Sequence, residues 1–184
     1  MADVEKENIL IIIVIYKKDV NDLKYLSGFL PGKIDVLIYD NSLGGQHCSQ
    51  KYYYIHDKNN SGVSKAYNEG IRLAKKLNKK YILLLDQDTA FTLDIVDKYE
   101  KLLEKYGEDY IYTSIIGKGD KIYSPFLEKN FRGRPQNREN FKYSEIYNLK
   151  GKSIINSGML VLLKIIDKIG MFNEKINVDF SYMY

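Results

Sequence analysis

Residues 9–16 read ILIIIVIY, an unbroken apolar run in which nearly every side chain is β-branched. Such a run has no polar face, so an amphipathic helix does not account for it, and neither does a half-exposed strand. It predicts a strand covered on both sides, as in parallel sheets. The run is too short to cross a bilayer, which takes about 20 residues. The segment before it, MADVEKEN, is acidic and lacks the basic start of a signal peptide. The expected location is therefore cytoplasmic, with peripheral attachment to the inner face of a membrane left open.

Other segments repeat the theme. IDVLIYD (Ile34 to Asp40), YYYI (Tyr52 to Ile55), YILLLD (Tyr81 to Asp86) and YIYTSII (Tyr110 to Ile116) read as further strands. Helical patterns separate them. NDLKYLSGFL reads as a short helix stopped before Pro31. From Ser64 to Asn78, Ala66, Ile71, Ala74 and Leu77 recur near helical spacing. Thr92 is placed to cap a helix through Tyr106, with Ile95, Val96, Tyr99, Leu102 and Leu103 facing inward. Strands alternating with helices predict an α/β domain with a mostly parallel sheet flanked by helices. Past Gly117 the rhythm fails. GKGDK reads as a turn, and Lys129 to Lys142, polar and basic, as a loop or lid. Order returns in KSIINSGMLVLLKIIDKIG. The chain is thus read as one domain, with residues 1–116 as one half and 117–184 as the start of a second.

Composition narrows the chemistry. At 184 residues the chain can bury a sizeable core. Its one cysteine, Cys48, permits no internal disulfide, and its two histidines, His47 and His56, permit no multi-histidine metal site. Carboxylates must do any metal or acid–base work. The net charge of +4 allows an anionic substrate without requiring nucleic acid, and no nucleic-acid partner is expected.

Three polar clusters follow the strands. They are Asp40-Asn41-Ser42, then Asn59-Asn60-Ser61-Gly62, then Asp86-Gln87-Asp88. In open parallel sheets ligands bind outside the carboxyl ends of strands. Two carboxylates two residues apart at such an end can converge on one hard cation, Mg²⁺ or Mn²⁺. A plain turn with two solvated acids is the alternative for this D-x-D. Asp40 is good turn chemistry or, functionally, an acceptor for a nucleobase N–H. Gly62 either opens an ordinary helix or lets the backbone approach a ligand, with the helix amino end favouring phosphate.

Together, YDNS (Tyr39 to Ser42), NNSGVSKAYNEGI (Asn59 to Ile71), LLLDQD (Leu83 to Asp88) and INSGMLVLLKIIDKIGMFNEK (Ile155 to Lys175) resemble family 2 of the glycosyltransferases. These are nucleotide-diphospho-sugar transferases of the GT-A fold, and the nearest look is to bacterial rhamnosyltransferase-like members. The resemblance implies a metal-dependent inverting transfer of a sugar from a nucleotide diphosphate, dTDP- or UDP-linked. The implied acceptor is a hydroxyl on a glycan or lipid-linked molecule, in bacterial polysaccharide or cell-surface glycan synthesis. It implies that Asp40 contacts the base and that Gly62 and Asn68 shape the donor pocket. Asp86 would face ribose and metal, Asp88 would ligate the metal, and Asn156, Ser157 and Gly158 would line the sugar and acceptor side. The family usually follows F-x-E with an acidic pair and a catalytic aspartate. Here FNEKINVDFSYMY puts Tyr182 at the base position and Asp179 three residues early. Asp179 is taken as the base, and the resemblance implies a short or truncated member. Two alternatives stand beside this reading. One is a nucleotide-sugar-binding domain without turnover because its base is missing. The other is a haloacid-dehalogenase-type phosphatase, whose D-x-D-x-[TV] motif is broken here by Ala90.

Overall fold

The computed structural model describes residues 6–23, 25–26, 34–88, 91–92, 94–129 and 132–175. In chain order the elements are β1 (Ile9–Ile15), β2 (Asp35–Asp40), β3 (Tyr53–His56), α1 (Val63–Lys76), β4 (Tyr81–Asp86) and α2 (Ile95–Tyr106). There follow β5 (Tyr112–Thr113), β6 (Ile116–Lys118), β7 (Lys121–Lys129), β8 (Arg132–Asn137), β9 (Lys152–Ser153), β10 (Met159–Leu162) and α3 (Leu163–Ile169).

The ILIIIVI run is the centre of the molecule. β1 pairs in parallel with β2 on one side and β4 on the other, in the sheet order β3-β2-β1-β4-β10-β5. All seven of its residues are buried. Its alternation sends Ile9, Ile11, Ile13 and Ile15 into a core shared with Val96, Tyr99 and Leu103 of α2. Leu10, Ile12 and Val14 enter a second core with Ala66, Ile71 and Ala74 of α1. Both faces are covered, which is why no position in the run is polar. Each such side chain contributes roughly 1.5–3 kcal/mol relative to exposure.

The sheet is parallel from β3 through β4. β10 then runs antiparallel to both β4 and β5. β5 is only two residues long, against the seven expected for YIYTSII, because β10 offers it just Met159 and Leu160 as partners. Where the expected helix from Asn21 is described it is 3₁₀, at Val20–Asp22, capped by the Asp19 carboxylate on the Asn21 N–H at 2.8 Å, and again at Tyr25 and Leu26. Residues 24 and 27–30 of that stretch lie outside the described residues. The cap of α2 is Asp94, two residues later than Thr92.

The segment Lys129 to Lys142, read as a loop or lid, is largely a strand. β8 pairs antiparallel with β7, while β6 and β9 also flank β7, making a second, four-stranded sheet. Its sequence RGRPQN hides this for two reasons. β8 sits at the sheet edge, so it buries little, and Pro135 falls where the register with β7 shifts between Ile122 and Leu127. The GKGDK turn is seen as expected, closing β6 onto β7. Two connections join the second sheet to the first. Residues 114–115 leave β5 at its carboxyl end, and residues 154–158 enter antiparallel β10 at that same end, with Ile155 N–H donating to Ser124 Oγ at 3.0 Å. The second sheet is thus hung from the carboxyl-end side of the parallel strands. Among the described residues no helix is long and apolar enough to cross a membrane.

Candidate functional site

Parallel strands end with backbone groups that their own ladder leaves unpaired. Here side chains from neighbouring loops take them up and bind the loops into one rim. Tyr16 N–H donates to Gln87 Oε1 at 2.8 Å, joining the ends of β1 and β4. Lys17 N–H donates to Ser42 Oγ at 2.8 Å, joining the ends of β1 and β2. Between these bonds Lys17 is held at φ 52, in the left-handed region. Gln46 does most of the remaining work. Its Oε1 accepts from Val20 N–H at 2.8 Å, and its Nε2 donates to Lys18 O at 2.9 Å and to Asp40 Oδ2 at 3.0 Å.

Asp40 lies under this rim with no exposure. Its Oδ1 accepts from Ser42 N–H at 2.9 Å, and its Oδ2 accepts from Gln46 and from the Tyr54 hydroxyl at 2.8 Å. Burial by itself would raise its pKa, but the hydrogen bonds from Ser42, Gln46 and Tyr54 outweigh that and hold it below the usual carboxylate value. In this arrangement Asp40 orders the loop after β2, and a base would reach it only once Gln46 or Ser42 had moved. Beside it, the Asn41 amide oxygen is buried without a hydrogen-bond partner, while Asn41 N–H donates to Ile15 O at 2.8 Å. Buried acceptors of that kind cost free energy until something donates to them.

Asp57 at the end of β3 was not singled out by the sequence reading, yet it shapes the turn into α1. It is 8% exposed. It accepts from Asn59 N–H at 3.0 Å, Ser61 N–H at 3.3 Å and the Tyr39 hydroxyl at 3.1 Å, with Lys65 Nζ at 3.6 Å. Burial would raise its pKa, but Ser61, Asn59, Tyr39 and the Lys65 charge bring it down to about 2. The only sequence signal was its position, directly after a strand. The turn delivers the chain to Gly62, at φ 92, a backbone that side-chain-bearing residues resist. The helix α1 starts there without a side-chain cap.

Asn68, expected to shape the donor pocket, is anchored to a distant part of the chain. It is 2% exposed, and its amide clamps the segment after α3. Nδ2 donates to Phe172 O at 3.0 Å and Glu174 Oε1 at 2.8 Å, and Oδ1 accepts from Phe172 N–H at 2.9 Å. The Tyr67 and Phe172 rings meet alongside, with centroids 5.1 Å apart.

Asp86 and Asp88 stand at the end of β4, half-buried and exposed respectively. The Tyr25 hydroxyl donates to Asp86 O at 3.0 Å. Burial first, and then the charges of Asp86 and Asp88, push the Tyr25 pKa well up. Both carboxylates therefore act on Tyr25 from the end of β4. Among the described residues no group of three or more His, Cys, Asp or Glu forms a closed metal cage. Two hard oxygen donors at a strand end, one half-buried and one exposed, are the kind of donor set that Mg²⁺ or Mn²⁺ takes, with waters and phosphate oxygens as further ligands. The residues present thus suit such an ion.

Asn156, Ser157 and Gly158 reach the same place from the other direction. Gly158 N–H donates to Leu84 O at 2.7 Å, which puts this turn beside the end of β4. Ser157 is 1% exposed and Asn156 half-buried. Gly158 is at φ 75, and a Cβ there would lie 2.6 Å from Ser114 Oγ and 3.2 Å from the Phe91 ring. Only glycine allows this turn to pack so close. Asp179 lies outside the described residues, as does Tyr182. The structure therefore places Asp40, Asp86, Asp88 and the 156–158 turn at the carboxyl ends of the parallel strands, while the Asn68 side chain bonds to Phe172 and Glu174. Cys48 is half-buried, and burial raises its thiol pKa.

A mixed sheet in this order, with helices on both faces and a rim at the carboxyl ends of its parallel strands, is the GT-A α/β fold. Residues 45–170, more than half of the chain, match the family described as Glycosyl transferase family 2, and the chain belongs to that family. That membership sets aside the phosphatase alternative. Solved structures agree on the fold. The crystal structure of S. aureus TarS superposes with a TM-score of 0.56 at 15% identity, covering 94% of this chain and 31% of that one. Its 1–349 fragment gives 0.54 at 14% identity, covering 94% and 52%. The same fragment in complex with UDP-GlcNAc gives 0.51 at 15% identity, covering 87% and 46%. This chain therefore spans about a third to a half of the length of the structures it matches. No curated protein sequence matches it.

Proposed function

We propose that the rim binds a nucleotide-diphosphate sugar and that the protein transfers the sugar, with inversion, to a hydroxyl of a glycan or lipid-linked acceptor. The observation that carries this is the placement of two carboxylates, Asp86 and Asp88, at the end of β4 beside the Asn156–Gly158 turn. In this reading Asp86 and Asp88 would hold Mg²⁺ or Mn²⁺, and the ion would supply positive charge to offset that of the departing diphosphate. The acceptor oxygen bonds to the anomeric carbon as the carbon–oxygen bond to the diphosphate breaks, and the electron pair leaves with the phosphate. The acceptor proton passes to a carboxylate, assigned by resemblance to Asp179. The unpartnered Asn41 oxygen supports a ligand that donates a hydrogen bond at the end of β2.

A UDP-linked donor is the first choice, because a related fold was crystallised in complex with UDP-GlcNAc. A dTDP-linked rhamnosyl donor is the second. The test is chromatographic detection of UDP released from UDP-GlcNAc in the presence of Mn²⁺, with dTDP-rhamnose in parallel. Asp88→Asn should lower release by about 100-fold or more, since a neutral amide is a poor ligand for the ion and leaves the leaving charge unscreened. Unchanged release in Asp88→Asn would remove the metal assignment.

A further inference from the structure

We propose that the outward face of the second sheet, with the neighbouring 141–150 segment, docks the protein on an anionic membrane surface. The first observation is how charge is divided. Residues 117–152 contain nine Lys and Arg and four Asp and Glu, a net of +5, while the whole chain carries +4. All the excess positive charge, and one unit more, belongs to this region. Among the described residues Lys118, Lys121, Arg134, Arg138, Lys150 and Lys152 form no ion pair. Lys121 bonds Asn137 Oδ1, Arg138 bonds Gly119 O and the Tyr143 hydroxyl, and Lys152 lies over the Tyr147 ring, but none of the six charges is neutralised by a carboxylate among the described residues.

The second observation is that apolar side chains are exposed among them. Tyr123 is 45% exposed, Leu127 44%, Tyr143 63% and Ile146 54%. Single exposed apolar residues are ordinary, but several in one basic region mark an interaction surface. The third observation is register. Leu127 lies directly opposite Arg134 on β8 and directly opposite Lys152 on β9. Direct partners in antiparallel pairs share a face. One exposed leucine is therefore flanked by two cations across three adjacent strands. At one end of β8, Arg138 Nη1 donates to the Tyr143 hydroxyl at 2.6 Å, which joins the 141–150 segment to the sheet.

A bare polyanion such as nucleic acid would use the cations but would gain little from Leu127 or Ile146. The interface of an anionic bilayer uses both, since headgroups attract Lys and Arg while Tyr, Leu and Ile enter the acyl boundary. Because the second sheet hangs from the carboxyl-end side of the parallel strands, docking there would bring the rim to the membrane surface. The proposal does not depend on the donor reading. A protein that failed to bind any nucleotide would still be expected to bind vesicles.

The test is co-sedimentation of the purified chain with phosphatidylcholine vesicles, with and without phosphatidylglycerol. Two double variants accompany the wild type, Arg134→Glu/Lys152→Glu and Leu127→Ser/Ile146→Ser, each checked for an unchanged circular-dichroism melt. The expected result is salt-sensitive binding that rises about tenfold or more with phosphatidylglycerol and falls by a similar factor in each double variant. Equal binding to neutral and anionic vesicles would overturn the proposal, as would wild-type binding by both variants. If Leu127→Ser/Ile146→Ser binds like the wild type and single-stranded RNA displaces the vesicles, the face is a polyanion site and the proposal is wrong.

Discussion

In the first sheet, β1 is flanked on both sides by parallel partners and has every residue buried. In the second, β7 also has partners on both sides, yet Lys121, Tyr123 and Leu127 stay exposed and its register with β8 breaks. The two sheets share a chain and a rim, but they divide the tasks of stability and contact. One is held by apolar burial on both faces. The other is a ladder with one face turned outward, and its residues are free to be chosen for what they meet. Substitutions that respond to burial should therefore separate the two sheets sharply.

The largest effect belongs to the centre of the first sheet. Ile12→Ala removes a fully buried side chain from between β1 and α1 and should cost about 2–5 kcal/mol in urea unfolding. A loss under about 1 kcal/mol would mean that the core is looser than described.

The next effect depends on pH. Asp57 is held at a pKa of about 2 when folded, against about 3.9 when unfolded. A depressed folded value means that its contribution is fully present above the unfolded pKa and is lost as pH falls from about 4 through about 2. The shift corresponds to about 2–3 kcal/mol. Asp57→Asn should flatten the acid limb of the stability curve over that window, and an unchanged acid limb would place the sensitivity elsewhere. Smaller again, Gln46→Ala should cost about 1–3 kcal/mol, because it strips partners from Val20 N–H and from buried Asp40 at once. If Gln46→Ala is neutral in thermal unfolding, the rim is not held together as argued. The smallest effect belongs to the second sheet. Leu127→Ala should change stability by less than about 0.5 kcal/mol, because the side chain is already half in water.

The same contrast explains what the sequence revealed. The buried strands were legible because burial on both faces leaves an unmistakable run, and residues 9–15 carry it undiluted. The Asp86–Asp88 pair was legible because it follows such a run. β8 was hidden by its edge position and by Pro135, which together erase alternation. Asp57 and Gln46 were hidden for another reason. Their importance lies in bonds to residues of other segments, such as Tyr39 and Val20, and no local spacing records those partners. The bonds of Asn68 were hidden in the same way, since they run to Phe172 and Glu174, more than a hundred residues away in sequence.

The central claim is that the rim at the strand ends is a metal-assisted nucleotide site. Titration calorimetry of UDP, dTDP and GDP against the chain, with and without Mn²⁺, tests it most directly, with Asp88→Ala run alongside. The account predicts that one diphosphate, UDP first, binds in the presence of Mn²⁺ and that both metal removal and Asp88→Ala abolish the heat. Equal affinity with and without Mn²⁺, or no binding of any of the three, would contradict it.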